Sequence, residues 1–296
     1  MTFQLEEFQG RFRMTDGFEL FYRRWLGMGE AKKVIIGHHG IGLNSEYLRL
    51  IGQDLAREGY AFYATDLRGF GNSKEEGLPI GDVRDFKRQL QDLDEVVRQV
   101  HKAHPGKRLF MLGHSLGGSY TLWYAAHHSE TLDGLILLAP AIISTTTIPR
   151  KDLLLFLFAL PFSPGKQLDF ASLWIKEVRR SGELRSQTED PLVAKGLSVR
   201  FLNGVRSVVG LKNSAQNARK IEEATLVLQG DADNVNVPDG ARKLMEDLAT
   251  KDKTLKTFSA ADHFFYQTIA TKPSARYDRA KQVKVTGAIA DWLEAH

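Results

Sequence analysis

The pentapeptide Gly113-His114-Ser115-Leu116-Gly117 is the part of this sequence best suited to chemistry. It follows the apolar run 109–112 and precedes the helix-like stretch 119–128. A serine between two glycines at a strand-to-helix turn is typical of a nucleophile elbow, where a side chain in place of either glycine would collide with the strand or the helix. The five residues alone also fit an ordinary glycine-rich turn. Their position between a strand and a helix favours Ser115 as a nucleophile at the positive end of the helix.

A serine hydroxyl needs a histidine to take its proton, and in sites built on such an elbow the acid and the histidine follow the serine along the chain. Of the four histidines after Ser115, two lie on the helix that begins there and one is the last residue. The fourth, His263, lies in a loop after the predicted strand 254–258. An exposed loop histidine is the alternative, but the elbow favours His263 as the general base.

Two aspartates, Asp231 and Asp233, follow the predicted strand 225–229 and are candidates for the acid that orients His263. Asp233 is favoured because the short glycine turn after the strand leaves it far enough out to reach a neighbouring loop. Asp231 is expected to accept hydrogen bonds from backbone amides of the turn instead. Asp262 adjoins His263, and because neighbouring side chains usually diverge it is expected to be a surface charge.

Backbone amides are needed to hold the negative oxygen of a tetrahedral intermediate. The amide of Leu116, directly after the nucleophile, is one candidate. The amide of Ile41 is the other, because the glycines on either side of it let its loop approach closely; a turn without a catalytic part stays the alternative there.

His38 and His39 lack a carboxylate or further histidine at ligand spacing, so no metal site is predicted. The stretch 66–73 lacks the third glycine of a dinucleotide fingerprint, and no cofactor is predicted.

Short apolar strands alternate with helices along much of the chain. Strands are predicted at 33–37, 60–65, 109–112, 134–138, 225–229 and 254–258, and helices at 46–58, 86–104, 239–248 and 277–294. The alternation predicts an α/β fold with a mostly parallel central sheet flanked by helices, preceded by a β-hairpin at the Asp16-Gly17 turn. The alternation breaks at 141–223, so we expect a core domain of 1–140 and 224–296 with an inserted helical cap. Ligands bind beyond the carboxyl ends of such strands, where the candidate residues lie.

Composition excludes several classes of function. The chain has 40 Lys and Arg residues against 36 Asp and Glu, a net charge of +4. This excess is small and the basic residues are scattered along the chain, which argues against nucleic-acid binding. Without cysteine there is no thiolate nucleophile and no disulfide. Residues 1–10 lack a basic start followed by an apolar run, so a cytoplasmic location is expected.

The apolar run 153–162 is about half of a bilayer span and predicts a buried helix, a lid over a lipid pocket or a shallow membrane contact.

Together these motifs resemble the α/β-hydrolase superfamily and, within it, the monoacylglycerol lipase and lysophospholipase group. The resemblance covers nearly everything from Gly10 onward. It rests on His39-Gly40, Asp66 to Ser73, Gly113 to Gly118, Leu228 to Asp233 and His263; the likeness to the lipase group rests on Gln229-Gly230, Ala232-Asp233, Lys251 to Lys256 and Asp190 to Leu192. The resemblance implies a cap over an acyl pocket and supports Asp233 as the acid.

The sequence therefore predicts a serine hydrolase that cleaves carboxylic esters of medium or long acyl chains, of the monoacylglycerol or lysophospholipid type. Its predicted partner is a small acyl ester or lipid, with peripheral membrane contact through the cap and no nucleic acid. An aminopeptidase or amidase of the same fold is the alternative, for which Asp169, Glu177 or Glu183 would anchor a free amino group. A binding protein that kept the fold without turnover is a third reading.

Overall fold

The computed structural model describes residues 5–27, 29–128, 131–145, 150–169, 190–265 and 278–296. Within these ranges the strands are β1 (Glu6–Arg13), β2 (Glu19–Leu26), β3 (Val34–His38), β4 (Ala61–Thr65), β5 (Leu109–His114), β6 (Gly134–Leu138), β7 (Gln167–Asp169), β8 (Gly196–Ser198), β9 (Ala224–Gly230) and β10 (Lys253–Phe258). All but β7 and β8 form one sheet in the order β1-β2-β4-β3-β5-β6-β9-β10. Neighbouring strands are parallel except for the two pairs made by β2. This is the predicted α/β architecture.

The central strands are mostly apolar because both of their faces are covered. Every residue of β3, β4, β5 and β6 is buried. By contrast β1, at one edge of the sheet, is largely exposed. The predicted hairpin forms, with Gly17 at a φ of 84° in its turn, a conformation that glycine adopts without strain.

Helices cover both faces of the sheet. In the described part of the chain the α-helices are α1 (Arg49–Arg57), α2 (Phe86–Ala103), α3 (Leu116–His127), α4 (Arg150–Phe162), α5 (Val199–Val205), α6 (Leu211–Ala218), α7 (Pro238–Asp247) and α8 (Arg279–Ala295). One hydrophobic core lies between the sheet and α2, α3, α6 and α7, and the other lies between the sheet and α1 and α8. Each fully buried Leu or Ile contributes about 1.5–3 kcal/mol to stability, so these two layers hold the strand ends in place.

The described part of the segment between β6 and β9 holds α4, the antiparallel pair of β7 and β8, then α5 and α6. Helix α4 packs on α5 through the buried Phe156 and Ala159. Helix α6 contacts α3 and α7, which belong to the layer over the main sheet. We therefore propose that the predicted cap, 141–223, ends before Leu211. Among the described residues no helix is both long and apolar enough to cross a bilayer.

Candidate active site

Ser115 lies at the sharp turn between β5 and α3. Its φ is 54° and its ψ is −115°, a conformation that costs a non-glycine residue about 1–3 kcal/mol and persists only where the surroundings enforce it. A Cβ on Gly113 would lie 2.2 Å from the carbonyl oxygen of Gly117, and one on Gly117 would lie 2.3 Å from that of His38. The two glycines therefore let strand, helix and the β3 loop meet around the serine, as an elbow requires.

Asp233 and His263 form a hydrogen-bonded pair at the ends of β9 and β10. The Nδ1 atom of His263 donates to Oδ2 of Asp233 over 2.9 Å, and both side chains are buried. The other carboxylate oxygen of Asp233 accepts from the amides of Val235 at 2.8 Å and Asn236 at 2.9 Å. These bonds fix the carboxylate, which in turn fixes the imidazole with its proton on Nδ1. Nε2 is therefore the ring nitrogen left for a substrate or a nucleophile.

The surroundings of Asp233 decide its charge. Burial would raise the pKa of this carboxyl, but the nearby His263 and the amides of Val235 and Asn236 outweigh burial and lower it. The carboxylate is therefore ionised at neutral pH and can stabilise a positive charge on His263.

The structure brings Ser115 and His263 to the same cleft. Its wall is formed by Gly40, Ile41, Leu43, His114, Ser115, His263 and Phe264. The cleft lies beyond the carboxyl ends of the parallel strands, where such folds bind ligands. Among the described residues, the amides of Ile41 and Leu116 have no hydrogen-bond partner. Both predicted oxyanion donors are thus free to bind an incoming oxygen, although their roles stay a prediction.

The alternative acid, Asp231, has another use. Its Oδ1 atom accepts a hydrogen bond from the amide of Ala260 over 2.6 Å, which ties the β9 loop to the β10 loop. The expectation for Asp262 as a surface charge is wrong. Asp262 is only 5% exposed, because its carboxylate folds back to accept from the amide of Phe264 at 3.0 Å.

Two polar residues of the site were not found from the sequence. His114, inside the elbow, is fully buried, and its Nε2 atom donates to the carbonyl oxygen of His263 over 2.8 Å. Burial, assisted by the adjacent His263, lowers the pKa of His114 to about 3, so the ring is neutral. Asn236 is the second: its Nδ2 atom donates to the hydroxyl oxygen of Ser115 over 3.2 Å.

The loop after β3 is held by buried hydrogen bonds. Nδ1 of His39 donates to the carbonyl oxygen of Gly40 over 2.8 Å, and Nε2 accepts from the amide of Leu67 over 3.0 Å. His38 contacts the Thr65 hydroxyl over 3.0 Å. Asp66, at the start of the stretch 66–73, accepts from the amide of Ser45 over 2.6 Å. The stretch thus braces the loop that carries Ile41.

The order of the strands and the strained serine after β5 define the fold class as α/β-hydrolase. A solved structure of a soluble variant of monoglyceride lipase from Saccharomyces cerevisiae, in complex with a substrate analogue, has the same fold. It superposes with a TM-score of 0.75 at 22% identity and covers 99% of this chain and 94% of that chain.

The chain belongs to the family described as "Serine aminopeptidase, S33", whose sequence model matches residues 29–267. It is 30% identical over 260 residues to the monoglyceride lipase of Rattus norvegicus, covering 86% of this chain and 83% of the relative. It is 24% identical over 288 residues to the monoacylglycerol lipase of Mycolicibacterium smegmatis, covering 96% of each. These similarities confirm the resemblance inferred from the motifs and the prediction of a carboxylic ester hydrolase.

Proposed function

We propose that this ester hydrolase acts through Ser115 as nucleophile, His263 as general base and Asp233 as the acid that orients the base. Its proposed substrates are monoacylglycerol or lysophospholipid-type esters of medium or long acyl chains. Support for the triad comes chiefly from one observation: the 2.9 Å hydrogen bond between His263 Nδ1 and Asp233 is made beside Ser115 in one cleft.

In the proposed acylation step, Ser115 Oγ attacks the ester carbonyl carbon while Nε2 of His263 takes the hydroxyl proton. The electron pair of the carbonyl moves onto its oxygen, which the amides of Ile41 and Leu116 bind. Asp233 stabilises the imidazolium without taking its proton. Collapse of the intermediate returns the proton to the departing alcohol and leaves an acyl group on Ser115.

Deacylation repeats these steps with water. His263 takes a proton from water, the hydroxyl oxygen forms the new bond to the acyl carbon, and the bond between that carbon and Ser115 Oγ breaks. The proton then passes from His263 to Oγ, so free enzyme and a carboxylic acid are produced. Each oxyanion donor in such a site lowers the barrier by about 3–4 kcal/mol.

The exposed apolar side chains of α4 support the proposed acyl preference. They include Leu154 at 70% exposure, Phe158 at 77% and Phe162 at 79%. Each methylene that such a surface removes from water contributes about 0.8 kcal/mol, which is nearly fourfold in binding. Monoglyceride and monoacylglycerol lipases are among the relatives, so a single acyl chain on glycerol is the substrate class that we propose.

We test the acyl preference with p-nitrophenyl esters of increasing chain length and with 1-monoacylglycerols. The expected result is that kcat/KM rises by up to about fourfold per methylene from acetate to octanoate, and that Ser115→Ala abolishes turnover of every ester. Activity confined to the acetate ester, with no gain on lengthening, would refute the proposed acyl preference while leaving an esterase.

The exposed side of α4 also supports the proposed shallow, peripheral contact with a lipid bilayer. The cytoplasmic location expected from the sequence stays a prediction. Replacing both Leu154 and Phe158 with serine should weaken sedimentation with phosphatidylcholine vesicles at least tenfold. Phe8→Ser is the matched control, because Phe8 is an exposed aromatic residue on β1. Equal vesicle binding by all three proteins would refute contact through α4.

Peptidase activity is the second candidate, because the family description names a serine aminopeptidase. Of the three acidic residues considered as anchors for an amino group, Asp169 lies at the exposed end of β7, and Glu177 and Glu183 lie outside the described residues. Hydrolysis of amino-acid p-nitroanilides faster than of acyl esters, lost in Asp169→Asn, would favour the peptidase. Absence of any reaction with a fluorophosphonate probe would instead favour the binding protein.

A further inference from the structure

Asn236 connects the nucleophile to the acid. It lies in the loop after β9, three residues beyond Asp233, and is 2% exposed. Its side-chain Nδ2 atom is 3.2 Å from Ser115 Oγ and 2.8 Å from the carbonyl oxygen of Ala139. Its backbone amide donates to Asp233 over 2.9 Å.

The carbonyl of Ala139 determines which end of the Asn236 amide faces the serine. A carbonyl oxygen can only accept, so the side-chain atom 2.8 Å from it must be the NH₂ group. That group has two hydrogens, of which one points to Ala139 and the other to Ser115 Oγ. The serine oxygen therefore receives a hydrogen bond from Asn236.

The backbone of Asn236 is held as firmly as its side chain. Its carbonyl oxygen accepts from Nε2 of Gln229 over 3.1 Å, and Gln229 Nε2 also lies 3.1 Å from Asp233 Oδ2. Asn236 forms an isolated antiparallel bridge with Ser144. Because these contacts leave the amide little freedom, its N–H is preorganised toward Oγ at no reorganisation cost during the reaction.

We propose that Asn236 is a further catalytic residue of the proposed Ser115 nucleophile, acting as a hydrogen-bond donor to Oγ. One lone pair of Oγ is taken by Asn236, so the hydroxyl proton is left to be donated to Nε2 of His263. During deacylation the bond between Oγ and the acyl carbon breaks, and the electron pair stays on Oγ until His263 returns the proton. A donor that already contacts Oγ stabilises the charge that develops there.

The inference rests on the proposed triad, and its consequence is specific to one step. In acylation, the Asn236 bond is already made to the hydroxyl oxygen of the free enzyme, so it changes little on the way to the transition state, whereas in the acyl-enzyme Oγ starts as an ester oxygen, which accepts only weakly. In deacylation, Oγ is the leaving atom and its negative charge grows. Loss of Asn236 should therefore slow deacylation more than acylation.

Two variants remove the donor. Asn236→Ala removes the amide, and Asn236→Leu keeps a similar volume without a polar atom. Asn234→Ala is the matched control, because Asn234 has an exposed side chain in the same loop. Circular dichroism and thermal unfolding identify the variants that fold, and either folded Asn236 variant is sufficient for the test.

Rapid-mixing kinetics with p-nitrophenyl butyrate separates the two steps. We expect the acylation rate to fall by less than about tenfold and the deacylation rate by about 10–100-fold, so that acyl-enzyme accumulates and the burst approaches one p-nitrophenol per folded molecule. If Asn236 had only a structural role, its replacement would instead lower the fraction of protein molecules whose Ser115 reacts. Titration with a fluorophosphonate measures that fraction.

The outcomes separate the inference from the proposed triad. Folded Asn236 variants with wild-type deacylation, with equal losses in both steps, or with a reduced titratable fraction alone would overturn the role of Asn236 and leave the triad standing. Failure of Ser115→Ala to abolish turnover would refute the triad itself, and the role of Asn236 with it. Asn234→Ala should match the wild type in every measurement.

Discussion

Replacing Asp233 with asparagine tests which atoms orient the base. Oδ1 of Asp233 accepts from the amides of Val235 and Asn236, and the asparagine carbonyl oxygen can accept both bonds. The asparagine NH₂ group then occupies the position of Oδ2, where His263 Nδ1 donates at 2.9 Å and Gln229 Nε2 donates at 3.1 Å. The NH₂ group of the asparagine and the Nδ1–H group of His263 are both donors and would face each other. The imidazole must therefore carry its proton on Nε2 and accept from the asparagine through Nδ1.

The expected loss follows from that tautomer. With its proton on Nε2, His263 cannot take the proton of Ser115. The same exchange in other serine triads lowers kcat by about 10⁴-fold, and we expect a decrease of about 10³–10⁴-fold here. Asp231→Asn should stay within about threefold of the wild type, because its amide oxygen can still accept from Ala260.

The assay is steady-state hydrolysis of p-nitrophenyl butyrate, with fluorophosphonate titration of the remaining active sites and circular dichroism to establish folding. A folded Asp233→Asn protein with kcat within tenfold of the wild type would refute the assignment of the acid. An equal loss in Asp231→Asn would show that disruption of the loops, rather than the tautomer of His263, explains both results.

Two further predictions concern the surroundings of the serine. First, burial lowers the pKa of His38 and of His114 to about 3, whereas both histidines have a pKa near 6.5 in the unfolded chain. Because the unfolded chain then binds more protons than the folded one, the free energy of unfolding should decrease as the pH falls below 6.5. The expected decrease at pH 5 is about 2 kcal/mol per histidine. Urea unfolding at pH 7.5 and pH 5 measures this, and equal free energies of unfolding would contradict it. Second, Gly117→Ala should remove most esterase activity and lower the Tm, because its Cβ would lie 2.3 Å from the His38 carbonyl oxygen. Gly287→Ala, where no atom lies within 4 Å of the added Cβ, should stabilise α8 by about 0.5–1 kcal/mol, and similar Tm values for both variants would refute the close approach.

Much of the core could be predicted because its strands and helices have strong local patterns. The run at β5, the amphipathic α2 and the glycines around Ser115 each specify their conformation over a few residues. The observed bounds of β5 and α2 differ from the predicted ones by at most two residues, and those of the helices that begin at Arg49 and Leu116 by at most three. The proposed cap is different. Strands β7 and β8 have three residues each, which is too short for a periodic pattern.

Parts of the site depend on contacts that no local pattern reveals. Asn236 is 121 residues from Ser115 in the chain, and an asparagine in a polar loop is more typical of a turn. His114 also gives no local signal, because its bond to His263 requires the β10 loop to lie over the elbow. The burial of Asp262 is not predictable from the sequence, because divergence of neighbouring side chains predicts only their direction, whereas this carboxylate turns back onto its own loop.

The most direct test of the account is to locate the atom that becomes acylated. The protein is treated with a fluorophosphonate and digested, and the modified peptide is sequenced by mass spectrometry while residual esterase activity is followed. We predict one adduct per chain, on Ser115, formed in step with the loss of activity and absent from Ser115→Ala. An adduct on another residue, or full esterase activity in Ser115→Ala, would contradict the account.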